Sequence, residues 1–276
     1  MLPVEISDWT PAPFALNGET VFAVGDIHGC LDEVTALLDT IAMLAAESGD
    51  TCRRLVYLGD MIDRGPSSIG VLKRWAEPET ARGVDRIDRI IGNHEILMLL
   101  ALRGEAQAEK ATALWLGERT GGAKVLAEMR AAVRDPGARP TYALAAEALG
   151  EKAMRLLLGQ RSHVTIGNTV FVHGGLEGGA DNDAFLATPW TAGLQARWAW
   201  ITKGFLDWQG GFGGTLVVHG HTPPNKHRPL SQMDDTLVFR HDRLCLDAGS
   251  ALTGIVAGAE IRDGRYRLLK AGTPRK

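Results

Sequence analysis

The chain has 276 residues, of which 45% are hydrophobic and 23% are charged, so it can bury a substantial core. Its net charge of −3 leaves no basic surplus to attract nucleic acid or an anionic membrane surface. Three widely spaced cysteines, the lack of a signal-peptide pattern and the lack of an apolar run of roughly 20 residues favour a cytoplasmic protein.

Short apolar runs that stop at glycine and polar residues predict five buried strands. The runs are VFAVG (21–25), RLVYLG (54–59), DRIIG (88–92), NTVFVHG (168–174) and TLVVHG (215–220). Apolar residues at helical spacing predict helices at 31–46 and 67–76, between the first three of these strands. This alternation of strands and helices predicts an α/β architecture.

Residues 96–160 have a different character, because they are rich in Ala, Leu, Glu, Lys and Arg and carry little strand signal. Glycine and proline breaks divide this segment into several helices. We interpret it as a helical insertion, a lid or cap, on a single domain that spans residues 1–276. Further along, we expect short strands at 236–240 and 243–247, and a hairpin over 256–269 that turns at Asp-Gly.

Polar side chains follow each of the five predicted strands. The motifs are GDIHG (25–29), GDMIDRG (59–65), GNHE (92–95), HGG (173–175) and HGHT (219–222). Each motif alone is also explained by loop capping, helix capping or a buried structural histidine. Sites in open α/β sheets form at the carboxyl ends of strands, and imidazole, carboxylate and amide donors suit Mn, Fe, Zn or Co. Together the five motifs therefore indicate a metal site, in which a carboxylate can bridge two ions about 3.5–4 Å apart.

The ordered set GD-x-HG, GD-x-x-DRG, GNHE, HGG and GHT resembles the calcineurin-like metallophosphoesterases. The DRG ending resembles the phosphoprotein phosphatase branch, which holds bacterial serine/threonine protein phosphatases and bis(5'-nucleosyl)-tetraphosphatases. The similarity runs from about residue 20 to about residue 255. It implies a four-layer αββα sandwich of two mixed sheets flanked by helices, and hydrolysis of phosphoric esters by a metal-bridging hydroxide.

The resemblance also implies a role for each matching residue. Two divalent ions, Mn²⁺ foremost and Fe, Zn, Co or Ni as alternatives, would be bound by Asp26, His28, Asp60, Asn93, His173 and His221, with Asp60 bridging both. His94 resembles the general acid, Asp63 the residue that orients it, and Arg64 a phosphate clamp. Asn93 and His219 are further candidates for contact with the substrate phosphate.

The chain departs from the family pattern at Thr202, where many bacterial relatives have an arginine that clamps the phosphate. Lys203 or Arg197 is a candidate substitute, although lysine lacks the planar bidentate fork of arginine. The departure leaves room for a diester or for a substrate of another shape.

These expectations lead to three hypotheses about function. The first is a phosphomonoesterase that acts on a serine/threonine-type phosphoprotein or a small phosphate ester. The second is a dinucleoside polyphosphate hydrolase or a phosphodiesterase that uses the same site. The third is a non-catalytic phosphate-binding module descended from the same fold.

Overall fold

The computed structural model describes residues 2–49, 52–77, 83–104, 107–134, 137, 140–224 and 239–275. The strands in these ranges are β1 Val4–Ile6, β2 Thr10–Pro11, β3 Thr20–Val24, β4 Arg53–Tyr57, β5 Arg86–Arg89, β6 His163–Ile166, β7 Thr169–Val172, β8 Leu216–His219, β9 Phe239–Arg240, β10 Arg243–Cys245, β11 Ile255–Arg262 and β12 Arg265–Gly272. The α-helices are α1 Leu31–Glu47, α2 Ser68–Ala76, α3 Asn93–Arg103, α4 Ala108–Trp115, α5 Gly122–Ala131, α6 Tyr142–Leu149, α7 Glu151–Leu158, α8 Asn182–Leu186, α9 Lys203–Leu206 and α10 Ser250–Thr253. None of the helices in the described ranges combines the length and the apolar character that a bilayer crossing requires.

Helix α1 shows how the apolar spacing of the sequence becomes a packing surface. Its buried residues are Val34, Ala36, Leu37, Leu38, Ile41, Leu44 and Ala45. Most of them recur three or four positions apart, as Val34, Leu38, Ile41 and Ala45 do, and so share one face of the helix. Asp32 and Glu33 in the first turn complement the positive end of the helix dipole.

The described strands form two mixed sheets. The first has the order β1-β12-β11-β3-β4-β5, with β2 paired to β12, and the second has the order β6-β7-β8-β10-β9. Strands β3, β4 and β5 run parallel, as do β7, β8 and β10. The remaining pairs are antiparallel, including the long hairpin β11–β12, which turns between Arg262 and Arg265.

The alternation of side chains along each strand separates the two faces of each sheet. In β3, Val21 and Ala23 join a cluster with Phe171 of β7, so this face of the first sheet covers the second sheet. Phe22 and Val24 point the other way and pack with side chains of α1 and α2. The opposite face of the second sheet packs against α8 and α9. The four layers are therefore helices, sheet, sheet and helices, and the fold class implied by the resemblance is confirmed.

Most of the predicted elements are present, with shifts at their ends. The third strand is β5, Arg86–Arg89, and Ile90 beyond it makes only an isolated bridge to Arg161. The predicted strand at 236–240 lies partly outside the described residues, which include only its end as β9. The exposed strands β1 and β2 were not predicted.

The described parts of the segment between β5 and β6 are mainly helical, as its composition predicts, and hold α3 to α7. Helix α3 begins at Asn93, three residues before the predicted start, because GNHE itself forms its first turn. Helices α3 and α4 pack together, and α5, α6 and α7 pack near α2. The assignment of the whole chain to one domain with an inserted cap stays a prediction.

Candidate metal centre

The polar motifs meet at the carboxyl ends of the parallel strands in both sheets. The side chains concerned are Asp26 and His28 after β3, Asp60 after β4, Asn93 after β5, His173 after β7 and His221 after β8. Each is buried except His221, which is partly buried. Because strands of two packed sheets end at the same edge, residues nearly 200 positions apart in sequence come into contact here.

Two groups of candidate metal donors share one carboxylate. His28, Asp60 and His94 form the first group, and Asp60, His173 and His221 form the second, with the donor atoms of each group within 4.8 Å of one another. Asp60 Oδ2 lies 3.7 Å from His28 Nε2 and 3.3 Å from His173 Nε2. A carboxylate between two sets of imidazoles is the arrangement expected of a ligand that bridges two ions.

Backbone carbonyls orient two of the imidazoles. His28 Nδ1 lies 2.8 Å from the carbonyl oxygen of Ile62, and His173 Nδ1 lies 2.9 Å from that of Leu58. A carbonyl can only accept, so Nδ1 carries a proton and Nε2 faces the centre of the site. Metal-binding histidines are commonly fixed in this way.

Asn93 lies with the second donor group, and Asp26 lies beside the first. Asn93 Oδ1 lies 2.9 Å from His173 Nε2 and 2.8 Å from His221 Nδ1, so these three donor atoms converge. The Asp26 carboxylate accepts the backbone N–H of His221, at 3.1 Å to each oxygen. Its Oδ2 is 3.9 Å from His28 Nε2, which places Asp26 beside the first donor group.

Burial keeps two of the imidazoles, those of His28 and His221, in the neutral form that binds metal. It lowers the pKa of His28 to about 3 and the pKa of His221 to about 3, so both are neutral near neutral pH. Burial also acts on His173, but the adjacent Asp60 carboxylate outweighs it and raises the pKa of His173. For Asp60, burial alone would raise the pKa, whereas His173 and the other imidazoles hold it well below its usual range.

Carboxyl groups crowd one side of the centre. Burial, with the Asp247 and Asp60 charges adding to it, raises the pKa of Asp26 well above its usual range. Burial likewise raises the pKa of Asp247 to about 6, and this carboxylate accepts the backbone N–H of Gly249 at 2.7 Å. Divalent cations would offset this repulsion, so both the donor set and its charge fit two such ions.

Backbone strain is concentrated at the centre. Eight described non-glycine residues have a positive φ, and five of them belong to this site: His28, Asp60, Asp63, Arg64 and His221. Such conformations cost roughly 1–3 kcal/mol each and persist where the surroundings enforce them. The buried Glu95 is one such support, because its carboxylate accepts backbone N–H groups of Gly92, Asp60, Met61 and Ile62.

His94 forms a chain of hydrogen bonds with Asp63 and Trp115. His94 Nδ1 lies 2.6 Å from Asp63 Oδ2, and the indole N–H of Trp115 donates to Asp63 Oδ1 at 3.1 Å. Burial lowers the pKa of His94 to about 4. Burial raises the pKa of Asp63 to about 8, and the Trp115 hydrogen bond is the largest influence in the other direction.

Arg64 spans the two histidines of the first donor group. Its guanidinium donates from Nη1 to His28 Nε2 at 2.7 Å and from Nη2 to His94 Nε2 at 2.9 Å. Arg64 is nevertheless exposed, so its guanidinium can also be reached by a molecule that enters from solvent.

The three other candidate substrate contacts lie apart from the donor groups. His219 is buried, packs edge-on against Phe205 with ring centroids 4.8 Å apart, and belongs to neither group. Arg197 makes a bidentate ion pair with Glu177, at 2.7 and 2.5 Å. Lys203 is the exposed first residue of α9.

Trp200 links this neighbouring segment to the centre, because its backbone carbonyl is a hydrogen-bond partner of His221. Thr202, two residues further along, directly precedes α9 and makes no side-chain cap for it. The segment thus adjoins the second donor group, while its two cationic side chains are at the surface.

Sequence reasoning missed the parts played by Glu95 and Trp115. Glu95 carried a usable signal, since a glutamate three residues after the N-cap residue, here Gly92, often turns back to the preceding backbone. Trp115 carried none, because it lies in α4, 52 residues from Asp63, which is in a loop.

These features define a class of protein: an α/β fold of two packed sheets whose strand ends assemble donors for two divalent ions. The chain belongs to the calcineurin-like phosphoesterase family, whose sequence model matches residues 19–244. This match confirms the resemblance drawn from the motifs. The family is dependent on binuclear metal centres, and its members hydrolyse phosphoric esters.

Two curated relatives carry the same name. A symmetrical bis(5'-nucleosyl)-tetraphosphatase of Paracidovorax citrulli is 35% identical over 94 residues, which cover 34% of this chain and 30% of the relative. One of Nitrosospira multiformis is 32% identical over 94 residues, with the same coverage of 34% and 30%. The matched region therefore spans less than a third of either relative.

A solved structure described as that of a candidate diadenosine tetraphosphatase matches over nearly the whole chain. The match covers 94% of this chain and 96% of the other, with a TM-score of 0.50 and 18% identity. At this level of identity the similarity concerns the fold.

Proposed function

We propose that the chain is a metal-dependent phosphomonoesterase that acts on a serine/threonine-type phosphoprotein or on a small phosphate ester. The observation that carries the proposal is the shared carboxylate of Asp60, with an imidazole group on either side and the His94–Asp63 pair adjoining the first group. Donors for two ions, a proton donor and an exposed guanidinium then lie together at one edge of the fold.

Six residues would hold the two ions: Asp26, His28, Asp60, Asn93, His173 and His221. Bound there, the ions would activate a water as the nucleophile and offset negative charge on the phosphoryl oxygens. The protein's contribution is to orient the imidazoles of His28 and His173 through backbone carbonyls and to keep His28 neutral by burial.

His94 is the residue that we place as the general acid. Asp63 holds the proton on Nδ1, so Nε2 is the nitrogen that would take up a second proton from solvent, forming an imidazolium that Asp63 stabilises, and pass it to the leaving oxygen. Arg64 touches the same Nε2, and its planar guanidinium can turn to bind two oxygens of a phosphoryl group. Binding of the phosphate by Arg64 would therefore free Nε2 for proton transfer.

A second candidate is hydrolysis of dinucleoside polyphosphates, an anhydride reaction that the same groups can perform. The observation that favours it is the name shared by the two curated relatives, which match about a third of this chain. The exposed Lys203, three residues after Trp200, is a candidate contact for the additional phosphates of such a substrate.

A substrate panel tests both candidates. The full chain is stripped with a chelator, restored with Mn²⁺ and assayed on p-nitrophenyl phosphate, a phosphoserine peptide, bis(p-nitrophenyl) phosphate and diadenosine tetraphosphate. We expect metal-restored turnover with the highest kcat/KM on the monoesters. A value tenfold higher on diadenosine tetraphosphate, with two molecules of ADP formed for each one consumed, would favour the second candidate. Phosphate binding without any turnover would instead favour the third hypothesis, a non-catalytic phosphate-binding module.

A further inference from the structure

Helices α4 and α5 pack directly on the loop that carries Asp63 and Arg64. This helix pair, residues 108–131, belongs to the segment whose composition predicted an insertion. Its contacts with the loop come from side chains in both helices and from the turn between them. These contacts hold the Asp63 side chain and the Arg64 backbone in place.

Trp115 makes the contact nearest to the proposed chemistry. It is 0% exposed, and its N–H occupies the one Asp63 oxygen that His94 does not use. Both oxygens of the carboxylate therefore have a donor, and the carboxylate plane is fixed. Gly122 permits this position of the indole, because a Cβ there would lie 2.4 Å from the ring.

The same helix pair holds the backbone that follows Asp63. Lys124 Nζ donates to the carbonyl oxygen of Arg64 at 2.9 Å. The Glu128 carboxylate accepts the backbone N–H groups of Ser68 at 3.1 Å and Ile69 at 2.8 Å, which fixes the start of α2. At Gly121, whose φ is +88°, a Cβ would lie 2.9 Å from the Arg64 backbone nitrogen, so the turn also abuts the loop.

These contacts have a reason in the backbone of the loop. Asp63 and Arg64 both have a positive φ, of 73° and 64°, which a non-glycine residue keeps only under external constraint. The contacts from Trp115, Lys124 and Glu128 supply that constraint from outside the loop. The loop conformation in turn sets the direction of the Asp63 carboxylate toward His94.

We infer that Trp115 is a positioning residue for the general acid. We also infer that the α4–α5 pair supports the side of the centre that holds Asp63, Arg64 and His94, here called the acid side. The inference rests on the proposed function, in that His94 is taken to donate the proton. Trp115 acts through Asp63, because its indole N–H bonds that carboxylate and no hydrogen bond among the described residues joins it to a donor group. Its loss should therefore affect reactions according to how much they need proton donation.

The test compares Trp115→Phe with Trp75→Phe. Trp75 is a matched control, because it is also buried but its indole N–H has no hydrogen-bond partner among the described residues. For Trp115→Phe we expect kcat on a phosphoserine peptide to fall about tenfold, and kcat on p-nitrophenyl phosphate, whose leaving group needs little protonation, to change less than about twofold. For Trp75→Phe we expect no such difference between the two substrates. Equal losses on both substrates in both variants would reduce Trp115 to a packing residue and overturn the inference.

A spectral measurement tests the effect of Trp115 on the His94–Asp63 hydrogen bond without measuring turnover. In ¹H–¹⁵N spectra of the full chain, with and without Zn²⁺, the His94 Nδ1 proton should give a downfield signal that is absent in His94→Gln. We expect Trp115→Phe to broaden or shift this signal and Trp75→Phe to leave it unchanged. An unchanged signal in Trp115→Phe overturns the inference. If the unaltered chain hydrolyses no ester with Mn²⁺, the proposed function fails and this signal alone decides the role of Trp115.

Lys124→Ala provides a surface variant in case Trp115→Phe does not fold. Lys124 is exposed, so its removal leaves the core intact but frees the Arg64 carbonyl. We expect KM for p-nitrophenyl phosphate to rise about threefold. The control is Lys110→Ala, an exposed lysine of α4 for which we expect an unchanged KM. Equal KM values in the two variants would contradict support of the loop by α5.

Discussion

Arg64 and Arg197 are both candidates for binding a phosphate, but their guanidinium groups make different contacts. Arg64 lies in a strained loop, bonds the Nε2 atoms of two histidines and has its own backbone held by Lys124. Arg197 is bonded on both sides of its guanidinium to Glu177, and its side chain is 56% exposed. The first arginine is built into the centre, whereas the second is part of a surface ion pair.

The difference shows what distinguishes a functional cation from a nearby one. A surface ion pair contributes little and is exchanged readily with solvent. A guanidinium held by a constrained backbone is already oriented, so less rotamer freedom is lost when it binds. The acid side of the centre, with Asp60, Asp63, Arg64 and His94, should accordingly dominate catalysis over the segment that carries Arg197 and Lys203.

The largest effect that this comparison predicts is at Asp60, the carboxylate common to both donor groups. Asp60→Asn should reduce turnover by more than about a thousandfold, because the amide cannot bridge two cations with a full negative charge. Metal content per chain, measured by elemental analysis, should fall with it. Asp39→Asn, at an exposed ion pair with Arg74, is the control. Full metal content with undiminished turnover would remove Asp60 from the bridging role.

His94 should give the next largest effect, and a selective one. His94→Ala should slow hydrolysis of a phosphoserine peptide by roughly 10²–10⁴, the usual contribution of a positioned general acid. The loss on p-nitrophenyl phosphate should be far smaller, since its leaving group departs without a proton. Initial rates on the two substrates measure this ratio, and equal losses would argue that His94 serves as a ligand instead.

The two arginines can be compared directly. Arg64→Ala should raise KM for phosphate monoesters by about tenfold to a hundredfold, because charged hydrogen bonds to the phosphoryl oxygens are lost. Arg197→Ala should change KM less than about twofold, since its partner Glu177 is solvent-accessible. Steady-state kinetics on p-nitrophenyl phosphate measure both values. A larger effect at Arg197 would reverse the comparison and make it the replacement for the arginine that is absent at position 202.

Lys203 should have the smallest effect of the series. If it assists with a distal phosphate, Lys203→Ala should raise KM for diadenosine tetraphosphate by about threefold and leave p-nitrophenyl phosphate unchanged. Lys152→Ala, at an exposed position of α7, is the matched control. An increase in KM for the small monoester alone would instead assign Lys203 to the primary phosphate.

Much of the fold could be predicted because its central strands are short, apolar and closed by glycine. Residues 21–25, 54–59 and 215–220 have these properties, and each coincides with a buried strand. Strands β1 and β2 escaped prediction because they are largely exposed and two or three residues long, which leaves no apolar pattern to detect. Their positions depend on pairing with β12, which lies at the other end of the chain.

The meeting of the candidate donor residues could be predicted because each lies within four residues of a strand end, and strand ends meet where the sheet topology places them. The supports of the centre could not. Trp115 and Glu128 act on a loop more than 50 residues earlier, and local spacing carries no information about such contacts. The positive φ of Asp63 and Arg64 was equally hidden, since glycine is the residue that normally signals this conformation.

The hydrogen bond between Asp26 and the His221 backbone has a consequence for folding. It joins the first sheet to the second across 195 positions of the chain, so it can form only after the two sheets have docked. An ion held by donors from both sheets would bind the native state and not the unfolded chain. At an ion concentration one hundred times its dissociation constant, such binding adds about 2.7 kcal/mol to the free energy of unfolding. Thermal denaturation with and without divalent ions would then report occupancy of the centre before any substrate is known.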